Sequence, residues 1–368
     1  MSMESADARL SAALRDGGAM TRRDLVAATG LSLATVNRVL ARLLATGSVT
    51  VTGNEASSGG RPAELFTFCD DGQVVTGVSV TNDGATALLS SLTGDVVARH
   101  VVPFARGDDP EARLKHTLAL LDQVVAHPDG HLTGIGVAVP GVVAGPAGTV
   151  TAIHELGWDR LDLGDLLSRH AGRPVTLAND ADCLAVAEHR AGAGKGSHDL
   201  VALVVRNGLG AGLITNGQLY RGLHHEAGEI GYLLTGRASL RRLFPDRGEL
   251  EQLLGSDRLL AEATALGLDE GAATLPHLIR IGRRTDGPAR ELADELLDLV
   301  ALAVAAMCVV LDPELVIIGG DDGMAPLIAG IRERLLGRIL RVPRMVPAAL
   351  GADAIMLGAG YLAVSGRV

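Results

Sequence analysis

Aromatic residues are scarce in this chain, with four Phe, three Tyr and one Trp among 368 positions. Apolar residues still make up 47%, so the interior has to be built from Val, Leu, Ala and Ile. Cysteine is almost as rare. Cys69, Cys183 and Cys308 lie far apart and show no metal-ligand spacing, which fits a reduced protein. No cationic segment followed by an apolar run opens the sequence. The longest apolar stretch, Leu297 to Leu311, is interrupted by Asp298 and is too short to span a bilayer. A soluble, cytoplasmic protein without a membrane partner is the expectation. Glycine, by contrast, is plentiful at 47 residues, which predicts many tight turns.

Charge is unevenly spread. The chain as a whole carries −10, yet residues 1–62 hold seven Arg and no Lys against five acidic residues, a net of +2 that leaves −12 for the remainder. Nucleic-acid contact is therefore expected at the amino-terminal end and not in the larger part.

The segment Thr21 to Gly47 supplies the element for such contact. Thr21 is a good N-cap with Asp24 three residues on, and Ser32 caps a second helix after the Gly30-Leu31 break. In that second helix Val36, Val39, Leu40, Leu43 and Leu44 fall at helical spacing and predict one buried stripe. The opposite face presents Ala34, Thr35, Asn37, Arg38 and Arg42. Small residues let such a helix enter a major groove closely, where Asn pairs with adenine and Arg with guanine or phosphate. Leu10, Ala13 and Leu14 supply a first helix. Ser48 to Thr52 alternates as a strand, Gly53 to Pro62 reads as a turn-rich loop, and Glu64 to Phe68 reads as a second strand. Residues 1–68 thus read as a winged helix-turn-helix for double-stranded DNA. Arg61 in the loop is placed to reach an adjacent minor groove.

From residue 72 to 368 the pattern changes to an α/β one. Gln73 to Val80, Ala85 to Ser91 and Val96 to Val102 predict three antiparallel strands. A helix follows at Asp109 to Ala126, then a buried strand at Gly134 to Pro140. A second round begins with Leu200 to Val205, Gly210 to Ile214 and Gln218 to Gly222. It continues with a long helix near Ala289 to Val310, the strand Glu314 to Gly320 and a helix at Met324 to Leu336. Two rounds of hairpin sheet plus helices predict two similar lobes around a cleft.

Gly134 to Val143, His154 to Trp158, Pro174 to Gly196, Asn207 to Gly222 and Glu226 to Tyr232, in this order and spacing, resemble the ROK family of sugar kinases and transcriptional repressors. The wing Ser57 to Pro62 is similar to that of the family's repressors. The resemblance implies an actin-like, hexokinase-like fold with a sugar cleft. It also implies a lobe of about residues 72–182 completed by the C-terminal helix at about 352–368, and a second lobe of about 183–351.

The resemblance also assigns residues. A family kinase holds phosphate and magnesium on an Asp-x-Gly-Gly-Thr turn. Here that stretch is Ser79-Val80-Thr81-Asn82-Asp83, with Ser in place of Asp and side chains in place of both glycines. The second phosphate loop reads Arg206-Asn207-Gly208-Leu209-Gly210 and lacks the family's Thr. Phosphoryl transfer depends on positioning and charge stabilisation, so loss of this clamp predicts no enzyme activity. Asn179 and Asp180 match the sugar-binding pair, with Asp180 at the kinase base. Glu229 matches a sugar-contacting glutamate, and Glu251 is a further candidate. Asp180 has a second reading, as a cap of the helix that follows. The family's zinc ligands, one His and three Cys, are absent: Tyr232 replaces the His and no Cys follows, so no metal and no cofactor are expected. His154, where many relatives have Asn, is either an altered sugar contact or a surface His. Trp158 is either a stacking platform for sugar or a packing residue.

The sequence therefore predicts a repressor of carbohydrate-related genes, released by a sugar-type ligand and acting as a homodimer or homotetramer. Two alternatives are a sugar kinase with a DNA-binding appendage and a regulator without a small-molecule ligand.

Overall fold

Three helices and a hairpin come first along the chain: α1 (Ala6–Gly17), α2 (Arg22–Thr29), α3 (Leu33–Ala45), β1 (Val49–Asn54) and β2 (Glu64–Phe68). The computed structural model describes residues 6–45, 49–54, 63–68, 73–92, 94–105, 107–126, 131–145, 147–151, 153, 156–206, 208–245, 247–269, 271, 273–320 and 324–365. Helix α2 starts where Thr21 and Asp24 cap each other: the Asp24 N–H donates to the Thr21 hydroxyl at 3.3 Å and the Thr21 N–H to the Asp24 carboxylate at 2.9 Å. It stops at Gly30, whose φ of 62° suits a residue without Cβ. Helix α3 starts with the Thr35 N–H donating to Ser32 Oγ at 3.2 Å. Leu10, Leu14, Leu25, Val36, Val39, Leu40, Val49 and Phe66 close a core of their own, and β1 and β2 pair antiparallel beside it. This is a winged-helix arrangement. One residue of the expected stripe departs from it. Leu44 is 36% exposed, because eight residues at about 100° each carry it to the edge of the face centred on Val36 and Leu43.

The rest of the chain builds two five-stranded sheets. The first half runs β3 (Gln73–Thr81), β4 (Gly84–Ser91), β5 (Val96–Pro103), α4 (Pro110–Val125), β6 (His131–Val139), β7 (Val142–Ala144), β8 (Thr149–Thr151), β9 (Leu161–Asp162), α5 (Leu163–Ala171), β10 (Val175–Asn179) and α6 (Asp180–Ala191). The second half runs β11 (Leu200–Val205), β12 (Leu209–Thr215), β13 (Gln218–Leu219), α7 (Glu249–Leu254), α8 (Ser256–Ala265), α9 (Leu275–Gly282), α10 (Pro288–Leu311), β14 (Leu315–Gly320), α11 (Met324–Leu335), β15 (Arg344–Pro347) and α12 (Ala354–Ser365). The sheet orders are β10-β6-β3-β4-β5 and β13-β12-β11-β14-β15. In each, the first strand of the series pairs antiparallel with the second and parallel with a later one, so β3, β4, β5, β6 and β10 correspond to β11, β12, β13, β14 and β15. The two rounds seen in the sequence are one topology used twice.

Two helices cross between the sheets. Helix α12 ends the chain yet lies on β3 and β6 of the first sheet. Helix α6 packs on α12 and on β11 and β12. The approach is backbone to backbone: a Cβ on Gly358 would overlap the Cys183 carbonyl, and one on Gly212 would overlap that of Ala181. Trp158 is buried at 4% exposure among Leu120, Leu156 and Leu163, and its indole N–H donates to the Pro110 carbonyl at 3.0 Å. Of its two readings, packing is the one this arrangement supports. Among the described residues no helix is long and apolar enough to cross a membrane.

Candidate ligand cleft and nucleic-acid interface

The start of α6 carries the sequence-predicted pair. Asn179, not Asp180, is the N-cap: its Oδ1 accepts from the N–H groups of Ala181 (2.8 Å) and Asp182 (3.2 Å), and its Nδ2 donates to the Gly141 carbonyl at 2.9 Å. Both ends of this amide thus engage the protein, and Asn179 ties the helix start to the β6–β7 corner. Asp180 follows as the first helical residue. Burial pushes its carboxyl up to about 6, against the pull of the Arg206 guanidinium and of the helix-start amides. Two residues on, Asp182 is also raised by burial. It accepts from Arg221 Nε at 3.0 Å, which holds it down in part.

Glu229 approaches the same place from another element, immediately before the short 3-10 turn Ile230–Tyr232. Burial raises its carboxyl to about 7, and the charges of Asp180, Glu251, Asp182 and Glu226 raise it further. Glu251, in the first turn of α7, lies against Gly231: a Cβ added there would sit 3.1 Å from Glu251 Cβ. Asp180, Glu229 and Glu251 are therefore brought together as an acidic group in which the charges of the other two disfavour ionisation of Glu229. Such carboxylates accept and, when protonated, donate hydrogen bonds, the capacity that vicinal hydroxyls require. Tyr232 ends that turn and is 47% exposed. His154 lies outside the described residues.

A cavity of about 290 Å³ adjoins this group along β10, lined among others by Asp165, Asn179, Asp182, Arg221 and His225. Asp180, Glu229 and Glu251 do not line it.

The two corners that the family resemblance assigns to phosphate lie at the ends of β3 and β11. Thr81 ends β3, Asn82 and Asp83 form the exposed turn to β4, and the Asp83 N–H donates to Thr81 Oγ1 at 3.3 Å. At the equivalent corner of the second sheet, the Arg206 N–H donates to the Gly208 carbonyl at 3.2 Å and the chain returns as β12. The segment after Tyr232 is closed by a polar staple that sequence reading missed. Glu249, 5% exposed, accepts from the Thr235 N–H at 2.8 Å and pairs with Arg242 at 3.5 Å. Hydrogen bonds from Ser239 and Thr235 hold its carboxyl below the usual range. Its signal in the sequence was only a glutamate at a helix start.

On the winged helix, α3 exposes Ala34, Asn37, Arg38, Ala41 and Arg42 on one face. Thr35 is half-buried, and its hydroxyl lies 2.9 Å from that of Ser32. Arg22 is tied to β2, pairing with Glu64 at 2.6 Å and lying 4.4 Å over the Phe66 ring. Arg61 lies outside the described residues.

Comparison with known proteins places this architecture. The chain is 27% identical over 319 residues to the xylose repressor of Caldicellulosiruptor bescii, covering 83% of this chain and 80% of that one. It is 25% identical over 312 residues to a glucokinase of Halalkalibacterium halodurans, covering 77% of this chain and 94% of the kinase. A solved ROK family transcriptional regulator, a homologue of the E. coli Mlc protein, superposes with a TM-score of 0.79 at 23% identity and covers 98% of this chain and 97% of its own. The profile of the ROK family matches residues 75–365, and the chain belongs to the ROK family.

Proposed function

We propose that the protein is a DNA-binding transcriptional repressor whose residues 1–68 read an operator and whose residues 72–368 sense a sugar-type ligand. The observation that carries this reading is a combination within one chain. A winged helix with an exposed Asn37–Arg38–Arg42 face precedes a kinase-like part that keeps an acidic group at Asp180, Glu229 and Glu251. That same part has Thr81 and Asn82 where a phosphate turn needs glycines. The similarity to a repressor along four-fifths of both chains supports it.

The mechanism follows from the two crossing helices. Ligand between the lobes draws Asp180 and Glu229 onto its hydroxyls and shifts the population toward a closed form. In a homodimer or homotetramer, closure changes the spacing of two winged helices, and the half-sites of the operator no longer fit. A coupling of about 1–3 kcal/mol is enough for release. No cofactor or metal enters this scheme, and its setting is the cytoplasm.

A thermal-shift screen against common monosaccharides, disaccharides and phosphosugars identifies the ligand, since a bound ligand raises stability by RT ln(1 + [L]/Kd). Gel shifts of genomic fragments with and without that ligand then test release. Fragments held equally with and without every sugar that binds would refute the sugar-sensing part. Absence of any retained fragment would refute the DNA-binding part.

A second reading, an active sugar kinase with a DNA-binding appendage, draws on one observation. An Asp180 carboxyl near 6 has a proton affinity suited to a general base at neutral pH. Sugar-dependent release of ADP that disappears in Asp180→Asn would establish it.

A further inference from the structure

Helix α6 joins two places that are far apart in the sequence. Its first turn holds the Asn179 cap, Asp180 and Asp182. Its twelve residues span roughly 18 Å at about 1.5 Å per residue, and its last turn presents Arg190. The Arg190 side chain is only 13% exposed. Its Nε–H donates to the Asp16 carboxylate at 2.8 Å, and its guanidinium lies 4.7 Å over the Tyr361 ring. Asp16 belongs to the last turn of α1, in the winged helix. Lys195, just beyond α6, donates through Nζ to the Asp16 main-chain carbonyl at 3.4 Å. A cation at a helix C-terminus also meets the negative end of the helix dipole. One residue of α1 is thus held twice, by its carboxylate and by its backbone.

This seat is firmly mounted. Glu188, fully buried, accepts from the Ala193 N–H at 2.7 Å and from the Leu350 N–H at 2.8 Å, fixing the turn that carries Lys195 to the loop after β15. Tyr361 comes from α12, which packs against α6 backbone to backbone. At its other end, α6 is hooked to the β6–β7 corner by the Asn179–Gly141 hydrogen bond. A displacement of that corner therefore moves a helix that ends on the winged helix.

We propose that Arg190, Lys195 and Tyr361 form a docking seat for the C-terminal end of α1, and that α6 ties the orientation of the winged helix to the ligand-contacting residues at its opposite end. The proposal rests on the reading of the cleft as a ligand site only for what moves α6. The seat and its link to Asn179 can be tested without knowing ligand or operator.

The experiment is hydrogen exchange on the full chain, read at the amides of residues 13–18, with the amides of α10 as the control for folding. Arg190→Gln and Asp16→Asn should each speed exchange at 13–18 by about tenfold, and the more exposed Lys195→Gln by about threefold, as expected for loss of a local tether. Exchanging the charges, Asp16→Arg with Arg190→Asp, should bring the rates back to within about threefold of the parent. Asn179→Ala should speed the same amides by about threefold in the parent and add nothing in Arg190→Gln, because the link is then already broken. Unchanged exchange in both Arg190→Gln and Lys195→Gln, or a charge exchange that rescues nothing, overturns the seat. An Asn179→Ala effect of equal size in both backgrounds overturns the link. DNA binding is read separately by gel shift, so failure of the repressor reading is distinguishable from failure of this one.

Discussion

The β3–β4 turn and the start of α6 follow strands that end at the same edge of the first sheet, and they carry opposite chemistry. Half-buried Thr81 ends β3, and the turn that follows is occupied by Asn82 and Asp83, ordinary exposed side chains. The helix start and its surroundings hold Asp180 and Glu229 with carboxyls raised to about 6 and about 7, a condition that burial makes unfavourable for folding. The comparison teaches that a cleft can lose the parts that position phosphate and still keep groups that suit hydroxyls. On the proposed function, such a cleft recognises without transferring.

The strongest way to break this contrast is to remove its costly side. Asp180→Ala should weaken the ligand found in the thermal-shift screen by at least about a hundredfold, since a site built to pair hydroxyls leaves them unpaired when a partner is lost. Gel shifts should show DNA still bound without ligand and release abolished. Retention of release at the parent's ligand concentration would place the ligand elsewhere.

The winged helix provides the next largest effect. Asn37→Ala or Arg38→Ala should cost about 1–3 kcal/mol on the preferred operator and relax its sequence preference. Footprints identical to the parent for both variants would remove α3 from the groove.

Glu229 sharpens the comparison through pH. Its folded carboxyl titrates near 7, above the ordinary 4.5, so between these values the folded chain holds a proton that the unfolded chain has released. Its favourable contribution is complete below about 4.5 and is lost as pH rises through 7. Glu229→Gln should therefore match the parent's folding stability near pH 4.5 and exceed it at pH 8, by on the order of 1–2 kcal/mol, read from melting curves. A parallel pair of melting curves would mean that Glu229 is solvated.

The smallest expected signal is on the phosphate side. Isothermal titration with ATP and magnesium at about millimolar concentration should show no binding heat, because Ser79, Thr81 and Asn82 stand where a phosphate turn has its carboxylate and glycines. A measurable heat would show that Arg206 or another cation substitutes for the clamp.

Local chemistry was the legible part of the sequence. The Thr21–Asp24 box, the Ser32 cap and the buried Val36, Val39 and Leu40 follow from spacing along one helix and stand as expected. The two rounds of strands were legible because their alternation and glycine turns repeat. The segment from α7 to α9 was not, since its helices are short and carry no motif. The capping role fell to Asn179 and not to Asp180, a difference of one residue that depends on where β10 ends. Glu188 and Arg190 drew no attention because their partners, Leu350 and Asp16, lie more than 150 positions away, and no local pattern announces such a pairing.

Helix α12 bears on how the chain is made. It covers β3 and β6, where Gly77 and Gly136 face the backbone of Met356 and Ala359, so the first sheet stays uncovered until residues 354–365 leave the ribosome. The fully buried core of the winged helix lies within residues 10–66, so it is available to form earlier during synthesis. On the proposed function, a nascent or prematurely ended chain can grip DNA before it can answer to ligand. Translation that stops short of residue 354 would yield an occupant of the operator that no sugar dislodges.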